Sequence, residues 1–211
     1  NSKEELVKAH KIVALCAMDD LTYTHISIIN NQRDILSISP FGVRFTDVKL
    51  SDLLDFTMEG TLLPAQRAED IYDHLHLIFN KKRNIPERNF NKTGFIIHSS
   101  IYKSRPDVGA VIHLHTAESI AVSVNPEGLL PVSQHALHFY DRISYHNYDS
   151  LNLTPKEETD VFIKDLRQNN VMFLRNHGFI AVGKTLEEAL FYAYHLQRAC
   201  AVQVIAPQNP I

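Results

Sequence analysis

His113-Leu114-His115 is the pair of residues in this chain best suited to chemistry. It lies in the run Val108-Gly109-Ala110-Val111-Ile112-His113-Leu114-His115-Thr116, which reads as a strand. Residues two apart on a strand project from the same face, so both imidazoles can reach one ion. Imidazole nitrogens at about 2.0–2.1 Å suit zinc, and a catalytic zinc takes three protein ligands with a further position open. His177, in the tight turn Asn176-His177-Gly178 at the end of a buried strand, is the natural third ligand. The bland alternative stays open on spacing alone. With 12 His among 211 residues, simple counting gives about 0.7 His-x-His pairs by chance. A second pair, His74-Leu75-His76, sits in a helical pattern, where residues two apart face different directions. His10, His98, His138, His146 and His195 read as packed or solvated histidines. Asp160, Asp165 and the Glu157-Glu158 pair read as a solvated helix face.

The elements that must position these residues form an α/β alternation. Ser2 and Glu5 make a capping box, and Leu6, Ala9, Val13 and Cys16 give the following helix an apolar face down to Asp19-Asp20. Tyr23–Ile29 and Ile35–Ser39 read as a strand hairpin turning at Asn30-Asn31, closed by Pro40-Phe41-Gly42. Ile71, Leu75, Ile78 and Phe79 have helical spacing, and Asn84–Asn91 reads as loop. Phe95–Tyr102 is predicted as a helix stopped by Pro106, Val108–His115 as a strand and Glu118–Val124 as a short helix. Ile143–Tyr148 reads as a strand. Thr154-Pro155 supplies a helix cap with proline at the first helical position. Val171–Leu174 and Phe179–Val182 read as strands flanking the His177 turn, and Thr185–Glu188 opens a helix of roughly twenty residues. With no repeat or linker, residues 1–211 read as one domain.

Composition narrows the function classes. The chain is 45% hydrophobic and 21% charged, as an ordinary globular protein is. A formal net charge of -3 argues against a nucleic-acid partner, which calls for a basic face. No apolar run approaches the ~18–20 residues of a membrane span, and no signal peptide opens the chain. Cys16 and Cys200 are solitary, which fits a reducing cytoplasm; Cys200 reads as core rather than nucleophile. No nucleophile elbow, Walker loop or dinucleotide fingerprint is present.

A family resemblance makes the histidine pattern specific. Ser104-Arg105-Pro106-Asp107-Val108-Gly109-Ala110-Val111-Ile112-His113-Leu114-His115-Thr116 resembles the signature of the class II aldolase/adducin family. So do Thr24-His25-Ile26-Ser27, Ser39-Pro40-Phe41-Gly42 and Leu129-Leu130-Pro131-Val132-Ser133-Gln134-His135-Ala136-Leu137. Arg175-Asn176-His177-Gly178 and the helix opening Thr185-Leu186-Glu187-Glu188 complete the set, in family order over most of residues 3–206. The resemblance implies a three-layer α/β/α sandwich around a mainly antiparallel sheet, assembled as a homotetramer with sites at subunit interfaces. It implies a divalent metal, zinc or else manganese or cobalt, on His113, His115 and His177. It also implies a small-molecule substrate, of hydroxy-carbonyl or sugar-phosphate type, cleaved as in an aldolase-type lyase. Its substrate loops correspond to Thr24, His25, Gly42, Lys92 and Thr93.

Two departures bear on activity. Aldolases of this family carry an acid/base glutamate four residues before the histidine matching His98, where this chain has Gly94. The tyrosine that a neighbouring subunit contributes as proton donor matches His135, which can do general acid/base work near neutral pH. Asn91-Lys92-Thr93-Gly94-Phe95 resembles the adducin-like branch, where the glutamate is also missing, yet all three metal-ligand histidines are kept. The resemblance therefore leaves three readings: a metal-dependent lyase with a replaced proton shuttle, a related epimerase, isomerase or decarboxylase, and a non-catalytic assembly module.

Overall fold

A computed structural model describes residues 1–21, 23–63, 91–147 and 155–206. The expected helix around Ile71–Phe79, the His74/His76 pair and most of the Asn84–Asn91 loop lie outside these residues. So do Tyr148 and Thr154.

Seven strands form one sheet in the order β3-β2-β1-β4-β7-β6-β5. They are β1 (His25–Ile29), β2 (Ile35–Ile38), β3 (Leu54–Thr57), β4 (Ala110–Leu114), β5 (Ile143–His146), β6 (Val171–Leu174) and β7 (Gly178–Gly183). Every pairing is antiparallel except β5 with β6, which is parallel. A parallel pair needs a crossover, and here it is α5 (Pro155–Leu166). The other helices are α1 (Lys3–Leu15), α2 (Lys92–Ser104), α3 (Ala117–Val124), the short α4 (Gln134–Leu137) and α6 (Leu186–Ile205).

The alternation of a strand divides its side chains between two cores. Ile26, Ile28, Ala110, Ile112, Leu114 and Phe179 pack with α1, α3 and α6 on one face. Leu36, Phe56, Val111, Met172, Ile180 and Val182 pack with α2 and α5 on the other. The result is the expected three-layer α/β/α sandwich around a mixed, mainly antiparallel sheet. Among the described residues, no helix is long and apolar enough to cross a membrane.

Several local expectations are corrected. The opening helix ends at Leu15, because Ala17 takes a left-handed φ of 53° that turns the chain before Asp19. The first strand starts at His25, and the strand from Ile143 ends at His146. Helix α2 starts at Lys92, earlier than Phe95, because Asn91 Oδ1 caps it by accepting from Gly94 N at 2.9 Å. Strand β3 and helix α4 have no counterpart in the sequence reading. Asp165 is not simply solvated: its carboxylate accepts a hydrogen bond from His146 Nδ1 at 2.9 Å, tying α5 to β5.

His10 is a wholly buried link between α1 and the sheet. Its Nδ1 donates to the Leu6 carbonyl at 2.6 Å, and its Nε2 accepts from the Ser39 hydroxyl at 2.7 Å, just beyond β2. Burial pushes its pKa from 6.5 down to about 4, against a weaker opposing pull from the Leu6 carbonyl. The unfolded chain therefore binds the extra proton between these values. This contribution is complete above pH 6.5 and is lost as pH falls towards 4, an effect on the order of 3 kcal/mol. Urea titrations across that window should show wild type losing stability more steeply than His10→Gln. Equal slopes would refute the assignment.

Candidate metal centre

The end of β4 and the start of β7 lie side by side, and that register assembles the histidines. His113 is the penultimate residue of the wholly buried β4 and pairs with Ile180 of β7 and His25 of β1. His115 lies two residues on, beyond the strand, where Thr116 caps α3 by accepting from Ser119 N. His177 sits in the β6–β7 turn, where Asn176 takes a left-handed φ of 61°. Arg175 anchors this turn: its guanidinium donates to the Pro126 carbonyl at 3.0 Å and lies 4.4 Å above the Tyr145 ring.

The three Nε2 atoms converge. His113 and His115 are 2.6 Å apart, His115 and His177 2.9 Å, and His113 and His177 3.3 Å. Among the described residues, this is the one group of three or more His, Cys, Asp or Glu side chains drawn close enough to share an ion. His113 Nδ1 lies 2.9 Å from the Phe179 carbonyl, an acceptor only, so Nδ1 carries the proton and Nε2 presents its lone pair. The Asp20 carboxylate is 3.7 Å from His115 Nδ1, the position from which a carboxylate orients a ligating imidazole. Burial holds all three rings in the neutral, ligating form. His113 is driven well below its usual value, His115 to about 4 despite Asp20, and His177 downward. Three neutral nitrogens converging to 2.6–3.3 Å fit a divalent cation, whose tetrahedral nitrogen ligands stand about 3.3 Å apart when each is about 2.0–2.1 Å away.

A cleft lined by Thr24, His25, Ser39, Pro40, Phe41 and Asn91 adjoins the triad. His25 joins the two, its ring centroid 4.8 Å from that of His113. Of the expected substrate residues, Thr24 and His25 line this opening, Gly42 follows its Phe41, and Lys92 and Thr93 follow its Asn91, exposed in the first turn of α2. Thr24 Oγ1 is buried and has no hydrogen-bond partner among the described residues. His135 lies elsewhere, on α4, stacked at 5.5 Å on His195 of α6. Four residues that the sequence reading did not place at a site are tied to it: Asp20 beside His115, and His98, Ser27 and Tyr102 in a hydrogen-bonded line leading away from His25. The detectable signal was the shared face of His25 and Ser27 on β1 and the four-residue spacing of Gly94, His98 and Tyr102 on α2.

The profile of the family described as Class II Aldolase and Adducin N-terminal domain matches residues 4–204. The chain belongs to this family. Alpha-adducin of Mus musculus is 33% identical over 95% of the chain, although the match spans only 25% of that longer protein. Among solved structures, an aldolase II superfamily protein from Pseudomonas syringae superposes with a TM-score of 0.81 at 32% identity, covering 96% of this chain and 74% of that one. L-fuculose 1-phosphate aldolase from Glaciozyma antarctica PI12 gives 0.80 at 28% identity, covering 99% and 76%. The resemblance in the sequence motifs thus extends to the whole three-layer fold.

Proposed function

We propose that this class II aldolase-family protein is a divalent-metal-dependent lyase, with zinc on His113, His115 and His177, that cleaves a small hydroxy-carbonyl or sugar-phosphate-like substrate. The observation that carries the reading is the convergence of three neutral Nε2 atoms next to a cleft that presents Thr24, His25, Ser39 and Asn91. A bound cation would supply Lewis acidity to a substrate carbonyl and charge stabilisation to the enediolate left by C–C cleavage. The residues of the chain do the rest. The Phe179 carbonyl, which accepts from His113 Nδ1–H, and Asp20 beside His115 Nδ1 direct the lone pairs of both Nε2 atoms at the shared centre, while burial keeps the rings neutral. The unpartnered Thr24 hydroxyl and the exposed first turn of α2, with Lys92 and Thr93, suit a phosphate or hydroxyl group of the substrate. Gly42 follows Phe41 of the cleft, and a Cβ on it would meet nothing within 4 Å, so space for a substrate group remains beside it. His135 of a second subunit in a homotetramer would supply the leaving group's proton, its ring on α4 being half-buried against His195 and so still partly accessible.

A second reading is favoured by Gly94, which cannot transfer a proton, and by the adducin relatives: a non-catalytic assembly module that retains its metal site. Elemental analysis of the purified protein followed by a screen of phosphorylated and free aldol substrates separates the two. The lyase reading expects about one zinc per chain and a retro-aldol product. Stoichiometric metal without turnover on any aldol, epimerisable or decarboxylatable substrate would favour the module, and absence of metal would end the lyase reading.

A further inference from the structure

A buried chain of hydrogen bonds runs away from the triad into the α2 layer. His25 Nδ1 lies 2.8 Å from His98 Nε2, His98 Nδ1 lies 2.5 Å from Ser27 Oγ, and Ser27 Oγ lies 2.8 Å from the Tyr102 hydroxyl. All four residues are at least nine-tenths buried. The ends of this chain set its polarity. The Val111 backbone N–H can only donate to the Tyr102 oxygen, so the buried phenol proton goes to Ser27 Oγ, the acceptor found for it among the described residues. Ser27 then donates to His98 Nδ1, which leaves the His98 proton on Nε2 and directs it to His25 Nδ1. His25 must therefore carry its own proton on Nε2, for which no partner occurs among the described residues.

Gly94 explains how His25 comes to lie there. A Cβ on residue 94 would stand 3.0 Å from His25 Nε2, 3.1 Å from Cδ2 and 3.2 Å from Cε1. Three nearly equal distances place that carbon over the face of the imidazole, so the glycine is the seat of the ring rather than only a lost acid. The seated ring borders the cleft on one side and His113 on the other.

We infer that His25 is locked as the Nε2–H tautomer by His98, Ser27 and Tyr102, and donates a hydrogen bond to a substrate oxygen beside the triad. This rests on the lyase reading for the nature of the substrate, but not for the tautomer. His98, Ser27 and Tyr102 are positioning residues, and Gly94 makes room for the group they position.

Long-range proton–nitrogen NMR correlations of the imidazole rings, with His25 assigned by difference from His25→Gln, test the lock without any metal. The expected result is Nε2–H in the wild type and a gain of the Nδ1–H form in Tyr102→Phe; Nδ1–H in the wild type would overturn the proposal. The donor role is read with glycolohydroxamate, a two-oxygen chelator, titrated into zinc-loaded protein. His25→Ala should weaken binding about 10-fold, and His25→Gln, whose amide N–H replaces Nε2–H, should restore it to within about 3-fold, a hydrogen bond's worth of discrimination. Equal affinity for wild type and His25→Ala would sink the donor role. Failure of every variant, wild type included, to bind zinc would instead count against the lyase reading, with the tautomer measurement still deciding the lock.

Discussion

Replacing His113 with alanine is expected to remove the metal altogether. The residue is 2% exposed, the most deeply buried of the three ligands, with its Nε2 within 3.3 Å of both partners. Losing an outer residue that merely orients a ligand costs about 10–100-fold in metal affinity, so loss of a ligand should cost on the order of 100-fold or more. Two measurements check this. Zinc should be stoichiometric in the wild type and absent from dialysed His113→Ala. Added zinc should raise the melting temperature of the wild type, since a ligand that binds only the native state stabilises it by mass action, and leave that of the variant unmoved. Any retro-aldol activity should fall with the metal. Full zinc occupancy in His113→Ala would show that the three histidines are a packing cluster.

Gly178→Ala should be nearly as damaging for a different reason. The residue opens β7 with φ +156°, and a Cβ there would lie 2.3 Å from the Leu114 carbonyl oxygen and 3.1 Å from His115 Cδ2. The first clash is with backbone inside the sheet, which cannot swing aside as a side chain can. Strain at a glycine-only conformation and overpacking each cost about 1–3 kcal/mol, so a combined loss of about 3 kcal/mol or more is expected. Because the displaced segment carries both His115 and His177, zinc affinity should fall with stability. Gly42→Ala is the control: its φ of +85° is also left-handed, but a Cβ would meet nothing within 4 Å, so only about 1 kcal/mol of strain is expected. Urea midpoints that are equal for the two variants would show that close approach of β4 and β7 is not what requires glycine at 178.

The contrast between these glycines shows where sequence reasoning stops. Both follow a strand end and read as turn glycines in the sequence; only the neighbouring carbonyl of Leu114 distinguishes them. Helices α1 and α6 were legible because Ser2 and Thr185 announce their starts through side-chain oxygens that accept from Glu5 N and Glu188 N. Strands β4, β6 and β7 were legible because a strand buried on both faces reads as an unbroken apolar run. Strand β3 was not, since Leu54-Asp55-Phe56-Thr57 is a short sheet-edge segment whose pattern any loop can show. The Asp165–His146 pair escaped notice because the partners are 19 residues apart and meet only through the β5–α5–β6 crossover.

By itself, the sequence determined the α/β alternation through local periodicity and caps, and the family, the layered fold and the three histidines through the resemblance of its motifs in a fixed order, none of which needs knowledge of a contact. It also showed that residue 94 lacks an acid. Tertiary structure alone decided what stands there instead. Placing β1 beside β4 and α2 over both brings His25, Ser27, His98 and Tyr102, drawn from two elements some seventy residues apart, into one buried line. The direction of hydrogen bonds in that line follows from burial, which makes the enclosed Tyr102 phenol spend its proton on Ser27 and leaves the spare N–H at the cleft end, on His25, and burial is a property of the folded chain that no spacing of residues encodes.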